Sequence, residues 1–168
     1  MINLIPDDAF LSLKKQSNAM LDIASKAGEF AIAICKRCEK LGVNIESIKD
    51  SVLAIPTSSV AYEFTRKVYE FLGLNINAIA AEFNSYDLLD VKMLDRRGRP
   101  TKNVDYARVA TILKQTKPLD KIRLNDNIEE AGESKMQFQA VVGNPPYDLS
   151  TTRASAQSIP LYHKFVEM

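Results

Sequence analysis

Residues 19–41 read AMLDIASKAGEFAIAICKRCEKL, and this stretch determines the predicted fold. It begins with a short apolar strand, residues 19–23, which has an acid, Asp22, near its end. The turn 24–28 follows, and then a helical run over about residues 29–41. A strand, a tight turn and a helix in this order are typical of the first unit of a nucleotide-binding α/β sheet. The helix N-terminus favours a carboxylate or phosphate, and the glycine of the turn lets a ligand approach the backbone closely.

The same alternation of strand and helix continues further along the chain. Residues 51–55 read as a second strand, and a helix is predicted over about residues 59–72. A third strand is predicted over residues 76–83. The apolar side chains of the helix recur at helical spacing, at Val60, Phe64, Val68 and Phe71. The chain is therefore predicted to have an α/β fold.

A second informative stretch lies near the C-terminal end, where residues 138–142 read as a short buried strand. One glycine later the chain continues with Asn144, Pro145, Pro146 and Tyr147. The two prolines lack backbone N–H donors and fix φ, so the turn is stiff and its carbonyls point outward. The side-chain oxygen of Asn144 and the carbonyl of Pro145 can then accept hydrogen bonds from one exocyclic amino group. Tyr147 offers a flat face to the ring that bears this group.

Taken alone, the tetrapeptide is equally compatible with a plain turn, because Asn-Pro and Pro-Pro are common in loops. Its position indicates a function, since functional residues of open α/β sheets collect at the carboxyl ends of strands. The combination of a stiff turn, two acceptors and a flat ring suits methyl transfer to an amino group on a base.

Both stretches resemble motifs of a known family. Residues 21–30, Leu-Asp-Ile-Ala-Ser-Lys-Ala-Gly-Glu-Phe, resemble the first motif of S-adenosylmethionine-dependent DNA adenine methyltransferases. Residues 144–147 resemble the catalytic fourth motif of these enzymes, and residues 155–167 resemble the helix that follows it. The resemblance is nearest to the adenine-N6 methyltransferases of restriction–modification systems, and it covers most of the chain. It implies a Rossmann-like methyltransferase sheet with helices on both faces.

The resemblance also implies a cofactor, S-adenosylmethionine. Asp22 and Asp87 would bond the polar ends of the cofactor, and Gly28 and Phe30 would shape its pocket. In the family, the acid at the position of Asp87 meets the adenine amino group of the cofactor. An ordinary loop or helix-capping acid is the alternative interpretation of Asp87. The residues of this chain that the resemblance assigns to the cofactor are Asp22, Ala24, Lys26, Gly28, Phe30 and Asp87.

The implied substrate is adenine in DNA, with the target base extruded from the stack. The catalytic residues would be Asn144, Pro145, Pro146 and Tyr147, with Tyr147 stacking on the extruded ring. DNA would also be contacted by regions outside this chain.

Two residues depart from the pattern of the family. Lys26 stands where the commoner first motif has another glycine, which restricts backbone approach on that side. Pro56 stands where an acid usually bonds the ribose hydroxyls, and a hydroxyl of Thr57 or Ser58 would replace it without the charge. An inactive or truncated binding and assembly module is therefore one alternative function. An RNA or protein-glutamine amino methyltransferase is another, because such enzymes use a similar tetrapeptide.

The composition fits a soluble globular protein, with 46% hydrophobic and 26% charged residues in 168. No apolar stretch approaches the ~18 residues of a membrane span, and the N-terminus has no secretory signal pattern, so a cytoplasmic location is expected. The net charge of +1 does not itself indicate a nucleic-acid partner. Cys35 and Cys38 form a C-x-x-C pair within the first predicted helix, and His163 is far away in sequence. We therefore expect reduced core cysteines rather than a metal site.

We expect residues 1–168 to form a single, partial catalytic domain with an insertion around residues 95–133. The insertion begins with a basic, turn-rich stretch that contains Arg96, Arg97, Arg99 and Lys102. These cations can meet DNA phosphates, or they can belong to a solvated surface loop, and the sequence favours the loop. Residues 105–114 are predicted to be helical.

The four predicted strands would be ordered 3-2-1-4 across the sheet, as in the resembling family. That family has further strands beyond the fourth, so this chain is expected to hold about half of a seven-stranded sheet. The fourth strand would then be an exposed apolar edge. We expect self-association into a homo-oligomer through this edge or its flanking helices.

Overall fold

The fold is described by a computed structural model, which covers residues 2–105, 107–108, 137–144, 148–149 and 159–160. Strands and helices alternate through the first half of the chain. Short 3-10 helices lie at Ile2–Leu4, Ile45–Ser47 and Ile76–Ala78. The longer elements are α1 (Asp7–Ser12), β1 (Asn18–Ser25), α2 (Glu29–Lys40), β2 (Val52–Pro56), α3 (Ser59–Leu72), α4 (Ser85–Asp90), β3 (Lys92–Leu94), β4 (Pro100–Val104), β5 (Gln137–Val142), β6 (Asp148–Leu149) and β7 (Ile159–Pro160).

The centre of the fold is a parallel sheet with the order β2-β1-β5. Asp22 of β1 lies between Ala54 of β2 and Val142 of β5. β1 and β2 are buried almost throughout, as expected for parallel strands that are covered on both faces. The helices α2 and α3 contact each other and both contact β1, so they cover one face of the sheet together. The α/β class predicted from the sequence is confirmed.

The third predicted strand, over residues 76–83, is wrong in its extent. Ile76–Ala78 is a 3-10 helix, and only Ile79 forms a parallel bridge, to Ala54. The Ala80 N–H donates to the Ala54 carbonyl at 2.9 Å. The Asn75 side chain accepts from the Asn77 N–H at 2.9 Å, and such a local bond competes with an extended backbone. The predicted order 3-2-1-4 holds, because the bridge lies on the far side of β2.

Helix α3 has the predicted bounds but buries a different face. The Ser58 side chain accepts from the Ala61 N–H at 3.1 Å at its N-terminus. Ala61, Thr65 and Tyr69 are buried, whereas Phe71 is 89% exposed. The Tyr69 hydroxyl donates to the Val52 carbonyl at 3.3 Å, so this polar group is satisfied inside the core.

The apolar spacing at Val60, Phe64, Val68 and Phe71 therefore does not mark the face that meets the sheet. Val60 and Phe64 are exposed, and Phe64, Val68 and Phe71 line a groove of about 510 Å³ between α2 and α3. Helical periodicity identified these four apolar side chains correctly as one side of the helix. A helix with a wide apolar surface can, however, bury a neighbouring side of the helix instead.

Cys35 and Cys38 lie in the core, as expected, and neither forms a disulfide. Burial raises the pKa of the Cys35 thiol to about 12 and that of Cys38 to about 11. Both thiols therefore stay protonated and behave as small apolar side chains. Within the described ranges, no helix combines the length and apolar character needed to cross a membrane.

Gly28 connects β1 to α2 and is required at its position for two reasons. Its φ of 74° lies in the left-handed region, which side chains with a Cβ rarely adopt. A Cβ at this position would also lie 3.0 Å from Val68 Cγ1 of α3. Gly28 therefore approaches α3 closely, and the approach of a ligand to its backbone stays a prediction.

Replacing Gly28 by alanine tests this packing, with Gly42→Ala as a matched control. Gly42 has a φ of 70° and nothing within 4 Å of the position of a Cβ. Gly42→Ala is expected to cost about 1 kcal/mol through the left-handed backbone alone. Gly28→Ala is expected to cost roughly 1–3 kcal/mol more because of the overlap with Val68. Urea unfolding measures both losses, and equal losses would contradict the contact.

Candidate active site

The candidate site lies at the carboxyl edge of the parallel sheet, where β1, β2 and β5 all end. Gly143 and Asn144 directly follow β5, and the turn that leads to α2 directly follows β1. A Cβ on Gly143 would lie 2.9 Å from Ile23 Cγ2 and 3.7 Å from Ala24 Cβ. The backbone that leads into Asn144 therefore packs directly against the end of β1. The fold thus brings the beginning of the tetrapeptide beside the turn at residues 24–28.

Asn144 is exposed at this edge, a position from which its side chain can reach a ligand. Pro145, Pro146 and Tyr147 lie outside the described residues, as do His163 and most of the segment 155–167. The roles assigned to the tetrapeptide residues stay predictions. Within the segment 155–167, Ile159–Pro160 is the strand β7, so the helix that the resemblance implied is wrong at these two residues.

Asp22 is the buried acid of the site, with 2% of its surface exposed. Its Oδ1 accepts from the Ala24 N–H at 3.2 Å, whereas its Oδ2 has no hydrogen-bond partner among the described residues. Burial raises the pKa of Asp22 to about 6, and the nearby Glu29 carboxylate adds to the increase. A buried acceptor without a partner is uncommon in native proteins and is typical of functional positions.

A carboxylate at the start of α2 accepts a hydrogen bond from the turn between β1 and α2. The Ala27 N–H donates to Glu29 Oε2 at 3.1 Å. A carboxylate in the first turn of a helix offsets the positive end of the helix dipole. Ala27 precedes Gly28, the N-cap of α2, so this bond does not use an N–H group of the helix itself. The expectation that this helix N-terminus suits an anionic group stays a prediction.

The two departures from the family pattern cause no strain in the backbone. Lys26 is exposed, and no residue other than glycine has a positive φ in the described part of the chain. A glycine at position 26 is therefore not needed for the turn. Pro56 is buried at the end of β2, next to Thr57, whose N–H donates to the Ser25 carbonyl at 2.9 Å. The Ser58 oxygen already caps α3, so Thr57 is the better placed replacement for the missing acid.

Asp87 has the helix-capping role that was its alternative interpretation. The Asn84 N–H donates to Asp87 Oδ2 at 2.9 Å, and the Asp87 N–H donates to Asn84 Oδ1 at 3.1 Å. The two residues thus form a capping box at the start of α4. Asp87 is exposed, so the cap leaves its other oxygen accessible to a ligand.

Ser85 is a structural residue of the site that the sequence did not reveal. Its side chain is fully buried, and its Oγ lies 2.5 Å from the Ile23 carbonyl, 3.1 Å from that of Ile55 and 3.2 Å from that of Pro56. One hydroxyl thus connects α4 to the ends of β1 and β2. A serine directly after a capping asparagine gives no sequence signal for such a contact.

The parallel order, the sheet flanked by helices and the site at the carboxyl edge define part of a Rossmann-like α/β fold of the methyltransferase type. Residues 29–168 match the family described as Eco57I restriction-modification methylase. The match covers most of the chain, so the chain belongs to this family of methyltransferases. No curated protein sequence and no solved structure matches the chain.

The raised pKa of Asp22 predicts how stability changes with pH. The pKa is 3.8 ordinarily and about 6 in the folded chain, so the native state binds more protons between these values. The free energy of unfolding should therefore fall as the pH rises from about 4 to 6, and stay level above that. Asp22→Asn should be more stable than the unsubstituted chain at pH 8, by about 1–3 kcal/mol, and similar to it at pH 4.

Thermal unfolding at pH 4, 6 and 8 checks this expectation. Asp8→Asn, at an exposed position of α1, controls for the loss of one negative charge. A difference between Asp22→Asn and the unsubstituted chain that does not change with pH would contradict the buried carboxylate.

Proposed function

We propose that this chain is the catalytic domain, or its N-terminal part, of a site-specific DNA adenine-N6 methyltransferase. Residues 1–168 would form one partial domain with an insertion around residues 95–133. Membership of a restriction-modification methylase family supports methyl transfer to DNA. The packing of Gly143 against Ile23 and Ala24 is the observation that supports this site most directly, because it joins the two motifs at one edge. The enzyme would act in the cytoplasm, where its DNA is.

The proposed cofactor is S-adenosylmethionine, and the residues at the edge fit it. Its sulfonium and ammonium groups outweigh one carboxylate, so the molecule is a net cation. Asp22 and Glu29 provide negative charge on either side of the turn, and Asp22 Oδ2 is a buried acceptor without a described partner. The cofactor supplies a reactive methyl group when it is bound. The residues proposed to hold it are Asp22, Ala24, Lys26, Gly28, Phe30 and Asp87.

The tetrapeptide would position the adenine amino group for reaction. The Asn144 side-chain oxygen and the Pro145 carbonyl would each accept one N–H of this group, which directs the nitrogen lone pair out of the ring plane. Tyr147 would stack on the extruded base, and Pro146 would keep the turn stiff. Positioning of this kind contributes most of the acceleration when two reactants are held in line. No side chain has to remove a proton before the methyl group is transferred.

A binding and assembly module without activity is the second candidate. Lys26 and Pro56 replace two residues that the family uses for the cofactor, and Glu29 accepts from the Ala27 N–H in the turn before the helix. Isothermal titration with S-adenosylmethionine separates the candidates, because an enzyme binds this cofactor in the micromolar range. Transfer to RNA or to a glutamine side chain is distinguished by a methyl-transfer assay with DNA, RNA and protein substrates in parallel.

Asn144→Ala is expected to lower methyl transfer to duplex DNA by about 100-fold or more, because one of two preorganised acceptors is lost. Binding of S-adenosylmethionine and the melting temperature should not change, since Asn144 is exposed. Transfer of a radiolabelled methyl group measures the loss. Asn77→Ala is the control, because Asn77 is exposed and precedes the bridge at Ile79, on the opposite edge of the sheet. Activity retained by Asn144→Ala would refute the assignment.

We also propose that the chain forms a homo-oligomer through the open edge of β5. Among the described strands β5 pairs with β1 alone, and Val141 of β5 is 55% exposed. An unpaired apolar edge of this kind favours pairing with a second chain. Light scattering at micromolar concentration should give a mass above 18.8 kDa for the chain and a smaller mass for Val141→Lys. A monomeric mass for the unsubstituted chain would contradict the proposal.

A further inference from the structure

The segment from Lys92 to Val104 forms an antiparallel hairpin of β3 and β4, which we call the basic hairpin. Leu94 pairs with Pro100, and Lys92 pairs with Val104. The segment contains five of the 22 basic residues of the chain and one of its 21 acidic residues. Its net charge is therefore +4, whereas that of the whole chain is +1. The net charge of the whole chain is thus close to zero although the basic hairpin is strongly basic.

The single acid of the basic hairpin is used within its own turn. Asp95 Oδ1 accepts from the N–H groups of Arg97 at 2.8 Å and Arg99 at 2.9 Å, and Asp95 Oδ2 pairs with Arg99 Nε at 3.1 Å. Gly98, with a φ of 73°, completes the turn and donates to the Asp95 carbonyl. The tip is thus an ordered turn, and its residues 96–99 are exposed at the surface, as the sequence indicated.

Arg96 and Arg97 are left at the tip with their charges uncompensated. Both are exposed, and no ion pair among the described residues involves either side chain. The neighbouring Met93 is 48% exposed and Leu94 is 60% exposed. Guanidinium groups beside apolar side chains on a two-stranded ribbon match the surface of a nucleic acid. Such a ribbon fits the major groove of B-DNA, and arginine pairs with phosphate through two parallel hydrogen bonds.

The position of the basic hairpin relative to the candidate site also supports a nucleic acid as its partner. It follows α4 directly, and the first residue of α4, Ser85, is bonded to the ends of β1 and β2. The Asp105 N–H donates to the Val91 carbonyl at 2.7 Å and closes the base of the hairpin. A helix of this length spans about 9 Å. The arms of the hairpin add roughly 10–17 Å, so the tip can reach several phosphates of a strand spaced at about 3.4 Å.

We propose that the basic hairpin binds the phosphate backbone of duplex DNA beside the target base, with Arg96 and Arg97 as its phosphate contacts. This inference rests on the proposed function, because that function supplies the DNA substrate. The contacts carry no sequence information, so the hairpin strengthens binding and fixes the register of the duplex.

The test compares two double variants that lose the same charge. Arg96→Ala/Arg97→Ala removes the tip cations, and Lys14→Ala/Lys15→Ala removes two exposed cations just before β1, on the opposite edge of the sheet. Binding of a fluorescent duplex is measured by anisotropy from 50 to 200 mM salt. The slope of log affinity against log salt should flatten by roughly 2 for the tip variant, at about 0.9 for each lost phosphate contact. The control variant should retain the original slope.

Four further readouts separate this inference from the proposed function. The tip variant should raise KM for DNA and leave kcat, the melting temperature and S-adenosylmethionine affinity unchanged. An unchanged salt slope in the tip variant, or an equal change in the control, would overturn the role of the hairpin while leaving the catalytic proposal intact. A chain that binds S-adenosylmethionine but methylates RNA or protein instead of DNA would overturn the proposed substrate and the hairpin together.

Discussion

The arrangement of the site depends on the close approach of Gly143 to the end of β1. A Cβ at this position would lie 2.9 Å from Ile23 Cγ2, closer than side-chain carbons pack. The absence of a side chain lets β5 stay in register with β1 up to Asp22 and Val142. Asn144 then follows directly beside the turn that begins α2. A larger residue at this position would force either the Ile23 side chain or the backbone at Asn144 to shift.

Hydrogen bonds between buried polar groups connect the other elements at the carboxyl edge of the sheet. One buried polar atom at this edge has no described hydrogen-bond partner. Ser85 connects α4 to the carbonyls of β1 and β2, and the hydroxyls of Ser25 and Thr65 lie 3.0 Å apart between β1 and α3. These contacts satisfy polar groups that burial would otherwise leave without partners. Asp22 Oδ2 is the exception among the described residues. In natural proteins, buried polar groups without a hydrogen-bond partner tend to occur at functional sites, which agrees with a ligand role for Asp22.

The sequence predicted the elements that periodicity and capping define. The strands at β1, β2 and β5 and the helices α2 and α3 appear within one or two residues of their predicted ends. The third strand was wrong because a local bond from Asn75 competes with the extended backbone. The basic hairpin was read as a loop, because strands rich in charged residues lack the apolar alternation that identifies a strand. For the candidate site, the sequence indicated Asp22 and Asn144 but gave no signal for Ser85.

The sequence by itself determined the order of strands and helices and the two motifs, because these depend on residues that are neighbours along the chain. Only the tertiary structure decided which face of α3 is buried, that Gly28 packs against Val68, and that burial raises the pKa of Asp22 to about 6. Each of these depends on atoms from segments that are distant in sequence. Desolvation and steric overlap arise only when those segments are brought together, so no local pattern records them.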